Sequence, residues 1–205
     1  MRILFATLGC LALAQCAGGD GGRFRVGASP EALVIIGVAE TSDHRDPRYS
    51  LLWRRLRPDG SFTSYDDARA INARTHADDS TRIEGIPGEF EVFRVEPGAY
   101  ALDSAYATLR ENAVTYTAQG VVTGPERPAF EVRAGEAVYL GIWEMDVDGA
   151  SAVTRLWRLS ADDLHAVQEA TRTEMVGAPR LLETETRSVP CAPRRMGQMS
   201  QREVC

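Results

Sequence analysis

The chain has 205 residues, of which 44% are hydrophobic and 25% are charged. This composition is typical of a globular protein and excludes wholesale disorder, and the length suits one domain with short terminal segments. The formal net charge is −6 without any block of like charge, so the composition argues against a nucleic-acid partner.

The N-terminal segment has the pattern of an export signal. A positive charge at Arg2 precedes an apolar run over residues 3–14. This run is shorter than the roughly 20 residues that a membrane-spanning helix needs, but it has the usual length of a signal-peptide core. We therefore expect residues 1–15 to be a signal peptide that is removed on export.

The four residues Leu13-Ala14-Gln15-Cys16 follow the apolar run. They resemble the lipobox of bacterial lipoprotein precursors, in which Leu and two small residues precede the cysteine that receives the lipid. Leu13, Ala14 and Cys16 match this form, whereas Gln15 departs from it because Gly, Ala or Ser usually stands there. The resemblance implies that Cys16 is acylated, becomes the first residue of the mature protein and attaches it to a membrane.

Glycine-rich sequence follows Cys16 and predicts a flexible tether over residues 16–30. Several acyl chains on one cysteine would hold such a protein firmly, since a single chain binds a membrane only marginally. The small residues Ala17 and Gly18 come directly after the cysteine, and no Asp lies beside it. By the same resemblance, this favours the periplasmic face of the bacterial outer membrane.

Two other interpretations of this segment stay open. Ala12-Leu13-Ala14 is also a site for ordinary signal-peptide cleavage, which would release a soluble periplasmic protein that begins at Gln15. Alternatively, Cys10 is the acylated residue, although the apolar run before it is short for a signal.

The first half of the domain contains three predicted strands. A continuous apolar run over residues 33–38 predicts a strand that is buried on both faces. After a polar loop over residues 41–48, a second strand is expected over residues 49–57. Pro58-Asp59-Gly60 then predicts a tight turn, because proline fixes one φ angle and glycine accepts the positive φ that follows. Residues 61–65 would return as the other arm of a hairpin, and residues 66–87 predict a long surface loop.

The same short pattern occurs twice in the middle of the chain. Phe-Glu-Val occupies residues 90–92 and residues 130–132, and each copy leads to a glycine-containing turn, at residues 96–98 or 134–136. Each copy predicts a strand, a tight turn and a returning strand, so we expect two hairpins at the centre of the domain. A further strand over residues 112–119 would lie between them.

The strand that follows the second turn is apolar on both faces, which predicts a central position in a sheet. Regular alternation would place Ile142 on the same face as Val138 and Leu140. It would place Trp143 on the opposite face.

The last predicted elements are a strand over residues 151–159 and a helix over residues 161–172. Ser160 is expected to cap the helix, and Asp163 suits the positive end of the helix dipole. From residue 177 the chain is polar and contains prolines, so we expect residues 177–205 to be a poorly ordered tail.

Strands at regular spacing, with turn residues between them, favour a mainly β fold. The expected architecture is an antiparallel two-sheet sandwich over residues 31–176 with one C-terminal helix. The pattern of strand, Pro-Gly turn and strand resembles the immunoglobulin-like or transthyretin-like sandwiches of small bacterial envelope lipoproteins.

The sequence contains no motif that predicts catalysis. No serine lies in a G-x-S-x-G elbow, and no cysteine lies between Cys16 and Cys191 to act as a nucleophile. His44 and His76 have carboxylates beside them, but no second histidine lies at metal-ligand spacing. We therefore predict a non-enzymatic protein without a metal or cofactor, and we expect His165 on the helix to be exposed.

Two segments place an indole beside guanidinium groups. Trp53 with Arg55, and Arg155 with Trp157, could form an interaction surface, because Trp and Arg are enriched at protein interfaces. Such a surface could also bind an anionic glycan or a lipid head group. The alternative is that Trp53 and Trp157 are core residues and that Arg54 and Arg158 face solvent by alternation.

Cys191 and Cys205 lie close together near the end of the chain. In an oxidising periplasm they predict an intramolecular disulfide. Free thiols, or pairing between two chains through Cys205, are the alternatives.

These patterns together predict an exported, lipid-anchored envelope protein that acts as a non-enzymatic binding or assembly module, with another envelope protein as a possible partner. A soluble periplasmic protein that binds a carbohydrate or another ligand is the first alternative. A hydrolase with an unrecognised site around His44 or His76 is the second.

Overall fold

The computed structural model of the chain describes residues 22–40, 47–65, 69–111, 114–122, 124–196, 198 and 202–205. Cys16 with the other lipobox residues, and His44, lie outside this part of the chain. In chain order the elements found there are β1 (Phe24–Arg25), β2 (Ala32–Glu40), β3 (Arg48–Arg55), β4 (Ile71–Arg74), β5 (Thr81–Arg82), β6 (Gly88–Val95), β7 (Gly98–Glu111), β8 (Val114–Val121), β9 (Glu126–Val132), β10 (Ala137–Asp148), β11 (Ser151–Arg158), α1 (Asp163–Ala170), β12 (Met175–Val176), β13 (Arg180–Leu181), β14 (Glu185–Ser188), β15 (Arg194–Arg195) and β16 (Glu203–Val204).

Most of the strands form two six-stranded sheets. The first sheet has the order β11-β10-β2-β6-β5, with β13 also paired to β10. The second has the order β14-β9-β7-β3-β4, with β8 also paired to β7. The fold is therefore mainly β with one helix in the described residues, as predicted. The sheets are not wholly antiparallel, however, because β2 pairs with β10 in parallel.

The two sheets share one apolar core. Its buried side chains include Val34 and Trp143 from the first sheet and Trp53 and Phe130 from the second. The rings of Trp53 and Trp143 meet edge to face with their centroids 5.1 Å apart, and those of Trp53 and Phe130 are 5.3 Å apart. Such pairs bury large apolar areas in preferred geometries, and the Trp53–Trp143 pair joins the two sheets across the core.

Strand β2 confirms the prediction of a strand buried on both faces, since residues 32–39 are all buried. Val34 and Ile36 point into the shared core. Leu33 and Ile35 belong to a second apolar cluster, which also contains Val167 of α1. The helix thus covers the outer face of the first sheet at this point.

The two repeated segments do not form hairpins, contrary to the prediction. Strand β6 pairs with β2 and β5 in the first sheet, whereas β7 pairs with β3, β8 and β9 in the second. The second copy behaves in the same way, because β9 and β10 belong to different sheets. Each turn therefore carries the chain across the core, and Val95 and Tyr100 enter the same apolar cluster from opposite sheets.

A bulge at Gly141 changes the faces that were predicted for β10. The register with β2 shifts between Tyr139 and Ile142, and Gly141 has a φ of 86°, which favours glycine. Because the extra residue reverses the alternation, Trp143 joins Leu140 in the shared core and Ile142 lies in the cluster next to the helix. The prediction that Ile142 shares a face with Leu140 was wrong for this reason.

The turn predicted at residues 58–60 is confirmed. The Arg57 amide donates a 2.7 Å hydrogen bond to the carbonyl of Ser61, and Gly60 has a φ of 80°. Leu56 and Phe62 form an isolated bridge beyond it. The long loop predicted over residues 66–87 instead contains the short strands β4 and β5, which lie at the edges of the two sheets.

The helix begins at Asp163, two residues after the predicted start. The Ser160 hydroxyl accepts a hydrogen bond of 3.1 Å from the Asp162 amide, but Asp162, at the N-cap position, makes no side-chain cap. Asp163 is buried and accepts hydrogen bonds from the Tyr139 hydroxyl at 3.2 Å and from the Arg158 guanidinium. These contacts attach the first turn of the helix to the sheet.

Both terminal segments differ from the prediction where the structure describes them. Residues 22–30 belong to the expected tether, yet Phe24 is buried and β1 pairs in parallel with β12. Residues 177–205 were expected to be poorly ordered, yet they contain β13 to β16, and β14 extends the second sheet. Val189 and Val204 are buried, and a disulfide joins Cys191 to Cys205. Apolar burial, strand pairing and the disulfide together hold the C-terminal segment on the domain.

A buried ion pair lies beneath the C-terminal segment. Arg54 and Asp103 are 1% and 0% exposed, and the Arg54 guanidinium donates to Asp103 Oδ2 at 2.5 Å. The Cys205 amide donates to the same carboxylate at 3.2 Å, and Arg127 donates to the carbonyls of Leu102 and Val189 at 3.1 Å. Since buried charges need partners, these bonds fix the position of the last residues on the sheet.

Candidate functional site

Strand β11 carries two of the exposed large apolar side chains in the described residues. Val153 and Trp157 are 41% and 48% exposed, and Arg155 lies between them on the same face. We call these three residues, together with Glu144 and Asp146 opposite them on β10, the β11 surface. Exposed apolar groups beside polar ones often mark places where a protein binds a partner.

The polar part of the β11 surface is organised by the strand register. Arg155 lies opposite Glu144, and Val153 lies opposite Asp146. The Arg155 guanidinium donates to the Glu144 carboxylate, and this hydrogen bond raises the pKa of Arg155. A shallow concavity of about 320 Å³ lies over these residues. A partner at this surface would meet apolar, cationic and acidic groups within a few residues of each other.

A β-bulge positions Trp157. Leu156 pairs with Trp143, and Arg158 pairs with the preceding residue Ile142, so Trp157 is the extra residue of β11. On its C-terminal side, Arg158 donates to both carboxylate oxygens of Asp163, at 3.1 and 2.6 Å. The indole is therefore presented to solvent by a strand whose next residue is fixed to the helix.

An apolar groove lies along the edge of β11, between the two sheets. Its volume is about 630 Å³, and it is lined by Leu102, Ala105, Gly120, Val121, Val122, Pro128, Trp143, Ser151, Ala152, Val153, Thr154, Arg155, Leu156 and Thr184. At one end β8 approaches β11 so closely that a Cβ at Gly120 would collide with the carbonyl oxygen of Ala152. The volume and the apolar lining match those of binding sites for small ligands or for side chains of a partner.

The position of β11 at the edge of its sheet adds a second way of binding. In the described part of the chain, β11 forms strand pairs with β10 alone. An edge strand can accept an additional strand from another chain through main-chain hydrogen bonds. The groove could then receive alternate side chains of that strand.

The structure does not bring the four residues of the predicted interaction surface together. Trp53 is fully buried in the shared core, as the alternative interpretation had it. Arg55 donates to Glu96 at 3.1 Å and to the carbonyl of Pro97 at 2.9 Å, on the second sheet. Arg155 and Trp157 are exposed together on β11 of the first sheet, so Trp157 is not the core residue of that alternative.

The two histidines of the described residues, His76 and His165, lie on different elements and form no recognisable catalytic centre. His165 is exposed on α1, as expected. His76 is exposed in the loop after β4 with a φ of 58°, and its amide donates to Glu89 at 2.7 Å. Among the described residues, no group of three or more His, Cys, Asp or Glu side chains is arranged to hold a metal ion. In the same part of the chain, no helix is both long and apolar enough to span a membrane.

The sequence contained a signal for part of this site that the prediction did not use. Alternation along β11 already places Val153, Arg155 and Trp157 on one face. By contrast, nothing local in the sequence indicates the groove, because Gly120 and Trp143 reach it through contacts between distant strands.

Comparisons with known proteins leave the function open. The chain matches no protein family model and no curated protein. A solved structure from Bacteroides fragilis, described as a proposed cell adhesion protein, aligns with a TM-score of 0.35 and 11% sequence identity. The alignment covers 64% of this chain and 47% of that chain, so it spans about half of the length of the other protein. A likeness at this TM-score carries no conclusion about fold or function.

Proposed function

We propose that the protein is an exported envelope protein, anchored to the outer membrane through a lipid on Cys16, and that it acts as a non-enzymatic binding module for another envelope protein. The sequence pattern at residues 1–16 supports export and anchoring. The observation that carries the binding role is an edge strand with Val153 and Trp157 exposed beside an apolar groove of about 630 Å³.

The architecture supports a role that relies on a rigid scaffold. Two sheets that share a core of packed aromatic rings form a stable platform for the β11 surface. We infer that this arrangement is a β-sandwich. The immunoglobulin-like or transthyretin-like type stays a prediction.

A partner strand that pairs with β11 would bury Trp157 and Val153 and could place an apolar side chain in the groove. Burial of apolar area contributes about 25 cal/mol per Å², and aromatic residues at the centre of an interface usually contribute most. We therefore expect Trp157 to be the main contact residue.

The binding role can be tested by photo-crosslinking in intact cells. In one variant, a photoreactive phenylalanine analogue replaces Val153 on the β11 surface. In the control variant, it replaces Val176, which is equally exposed at 41% but lies on β12. The proposal expects a discrete crosslinked partner from position 153 and none from position 176. It also expects Trp157→Ala to abolish that crosslink while the purified variant stays folded. Equal crosslinking from both positions, or a crosslink that survives Trp157→Ala, would contradict the proposed site.

The anchor is tested separately by metabolic labelling with a fatty acid and by the mass of the mature N-terminus. Cys16→Ser should abolish labelling and release the protein from the membrane fraction, whereas Cys10→Ser should leave both unchanged. A Cys16→Ser variant that stays labelled would rule out this attachment site. An unlabelled protein that begins at Gln15 would instead establish the soluble periplasmic alternative.

A further inference from the structure

We propose that the outer face of the second sheet contains a binding site for a small solute that bears a tetrahedral oxyanion, a phosphate or a sulfate group. The site is a concavity of about 440 Å³ whose lining includes Arg48, Arg74 and Arg202. It is on a different sheet from the β11 surface, and it does not depend on the function proposed above.

Strand pairing brings the basic and hydroxyl side chains of this site together. Arg74 of β4 lies opposite Ser50 of β3, and Arg48 of β3 lies opposite Thr108 of β7. These four residues therefore occupy neighbouring rows on the outer face of three adjacent strands. All four line the concavity, which places two arginines and two hydroxyl-bearing residues around one space.

The third guanidinium comes from the C-terminal segment. Arg202 precedes β16, and its guanidinium carbon lies 5.2 Å from the centroid of the Tyr106 ring. The Tyr106 hydroxyl donates to the carbonyl of Glu203 at 2.7 Å, and the buried side chain of Val204 packs against Tyr106. The segment is thus attached beside the concavity, with the Arg202 charge at its border.

The charge of this site contrasts with that of the whole protein. The chain has a formal net charge of −6, yet the lining of the concavity contains three arginines and the single carboxylate of Asp78. Neither Arg48 nor Arg74 forms an ion pair or donates a side-chain hydrogen bond to another described residue. Arginine that donates no side-chain hydrogen bond to the protein is suited to phosphate and sulfate, since its planar fork matches two oxygens of such groups. The Arg74 charge also interacts with the nearby Glu91 carboxylate, whereas Arg48 has no such partner among the described residues.

The size of the concavity favours a solute over a bare ion. A volume of about 440 Å³ lies in the range of sites for small molecules, which is several times larger than an inorganic anion needs. The exposed His76 also lines the concavity, and its imidazole could contact the rest of the solute.

The test is isothermal titration calorimetry of the full mature chain with inorganic phosphate and with glycerol phosphate, against sodium chloride at equal ionic strength. We expect saturable binding of both phosphates, which weakens as salt is raised. Arg48→Gln and Arg74→Gln should each weaken binding about tenfold or more, as for the loss of a hydrogen bond to a charged group. Arg48→Lys should retain part of the affinity, because it keeps the charge without the fork.

Arg133→Gln is the matched control, since Arg133 is an exposed arginine on the turn between β9 and β10 and does not line the concavity. It should bind phosphate like the unmodified protein.

A second experiment measures co-sedimentation of the protein with vesicles of phosphatidylglycerol or phosphatidylcholine. Absence of saturable phosphate binding, or equal losses in Arg133→Gln and Arg48→Gln, overturns the proposal. Arginine-dependent binding to the anionic vesicles without binding of free phosphates overturns it as well, because the source would then be a lipid.

Discussion

Replacement of Glu91 by Gln should change how the stability of the protein depends on pH. Glu91 of β6 is 8% exposed and lies in the space between the sheets, where its carboxylate accepts a hydrogen bond from the Arg74 amide. Burial raises the pKa of this carboxyl from 4.5 to about 7, although the Arg74 amide and guanidinium oppose the shift. The folded protein therefore binds the Glu91 proton more tightly than the unfolded chain does.

The difference between the folded and unfolded pKa of Glu91 fixes the sign and the size of its effect on stability. Glu91 contributes its full stabilisation below pH 4.5, where the carboxyl is protonated in both states, and the contribution is lost as the pH rises toward 7. A pKa difference of this size between the folded and unfolded states changes the free energy of unfolding by roughly 3 kcal/mol. Because the Glu91 carboxyl is partly in contact with water, we expect a change of about 2–3 kcal/mol. The amide side chain of the Glu91→Gln variant would keep an acceptor for the Arg74 amide but would have no charge to bury.

Urea denaturation at a series of pH values from 5 to 8, followed by tryptophan fluorescence, measures this effect. We expect the stability advantage of Glu91→Gln over the unmodified protein to grow from under about 1 kcal/mol at pH 5 to about 2–3 kcal/mol at pH 8. Glu84→Gln, which removes an exposed carboxylate nearby, is the control and should show no such divergence. If the Glu91→Gln curve runs parallel to that of the unmodified protein over this range, Glu91 is not a desolvated carboxyl.

Three further predictions concern stability. Asp103→Asn leaves Arg54 buried without a countercharge, so it should lower the free energy of unfolding by about 3–5 kcal/mol. Urea titrations measure this loss. A loss under about 1 kcal/mol would show that Arg54 and Asp103 do not form a buried ion pair. The double variant Cys191→Ser/Cys205→Ser should lose roughly 2–3 kcal/mol, and reduction of the unmodified protein should produce the same loss; no change would show that the bridge is not formed in solution. Gly120→Ala should lower the melting temperature, because the new Cβ collides with the Ala152 carbonyl. The control Gly124→Ala should leave the melting temperature unchanged, because no atom lies within 4 Å of its new Cβ. Equal effects of the two variants would mean that β8 and β11 do not meet at Gly120.

Local sequence signals predicted the elements that depend on neighbouring residues. The apolar run of β2, the turn at residues 58–60 and the helix after Ser160 all appear in the structure close to where they were expected. In each of these cases, the physical cause lies within a few residues, whether it is burial on both faces, a fixed φ angle or the start of a helical turn. Such signals do not indicate which strands pair.

The two repeated segments show why pairing escaped the prediction. A turn of two or three residues with glycine fits a hairpin, but it also fits a chain that crosses from one sheet to the other. The pairing of β6 with β2, rather than with β7, depends on residues more than fifty positions away in sequence, such as Ile36 opposite Glu91. The pairing also places Glu91 in the space between the sheets, so the carboxyl with the raised pKa could not be recognised from its neighbours.

The candidate site also depends on contacts that a local sequence pattern does not reveal, in this case β-bulges. A bulge decides which side chains of a strand point into the core and which point outward. Trp53 and Trp157 both stand next to arginine, yet Trp53 enters the core and Trp157 is exposed. On β7, the register with β3 shifts at Asp103, which turns this carboxylate toward Arg54 on the outer face while Trp53 points inward. On β10, the bulge at Gly141 moves Trp143 inward, and Glu144 and Asp146 consequently lie on the outer face of the sheet, opposite Arg155 and Val153. A single inserted residue reverses every later side chain of a strand, so the acidic groups of the β11 surface follow from the left-handed backbone that Gly141 permits.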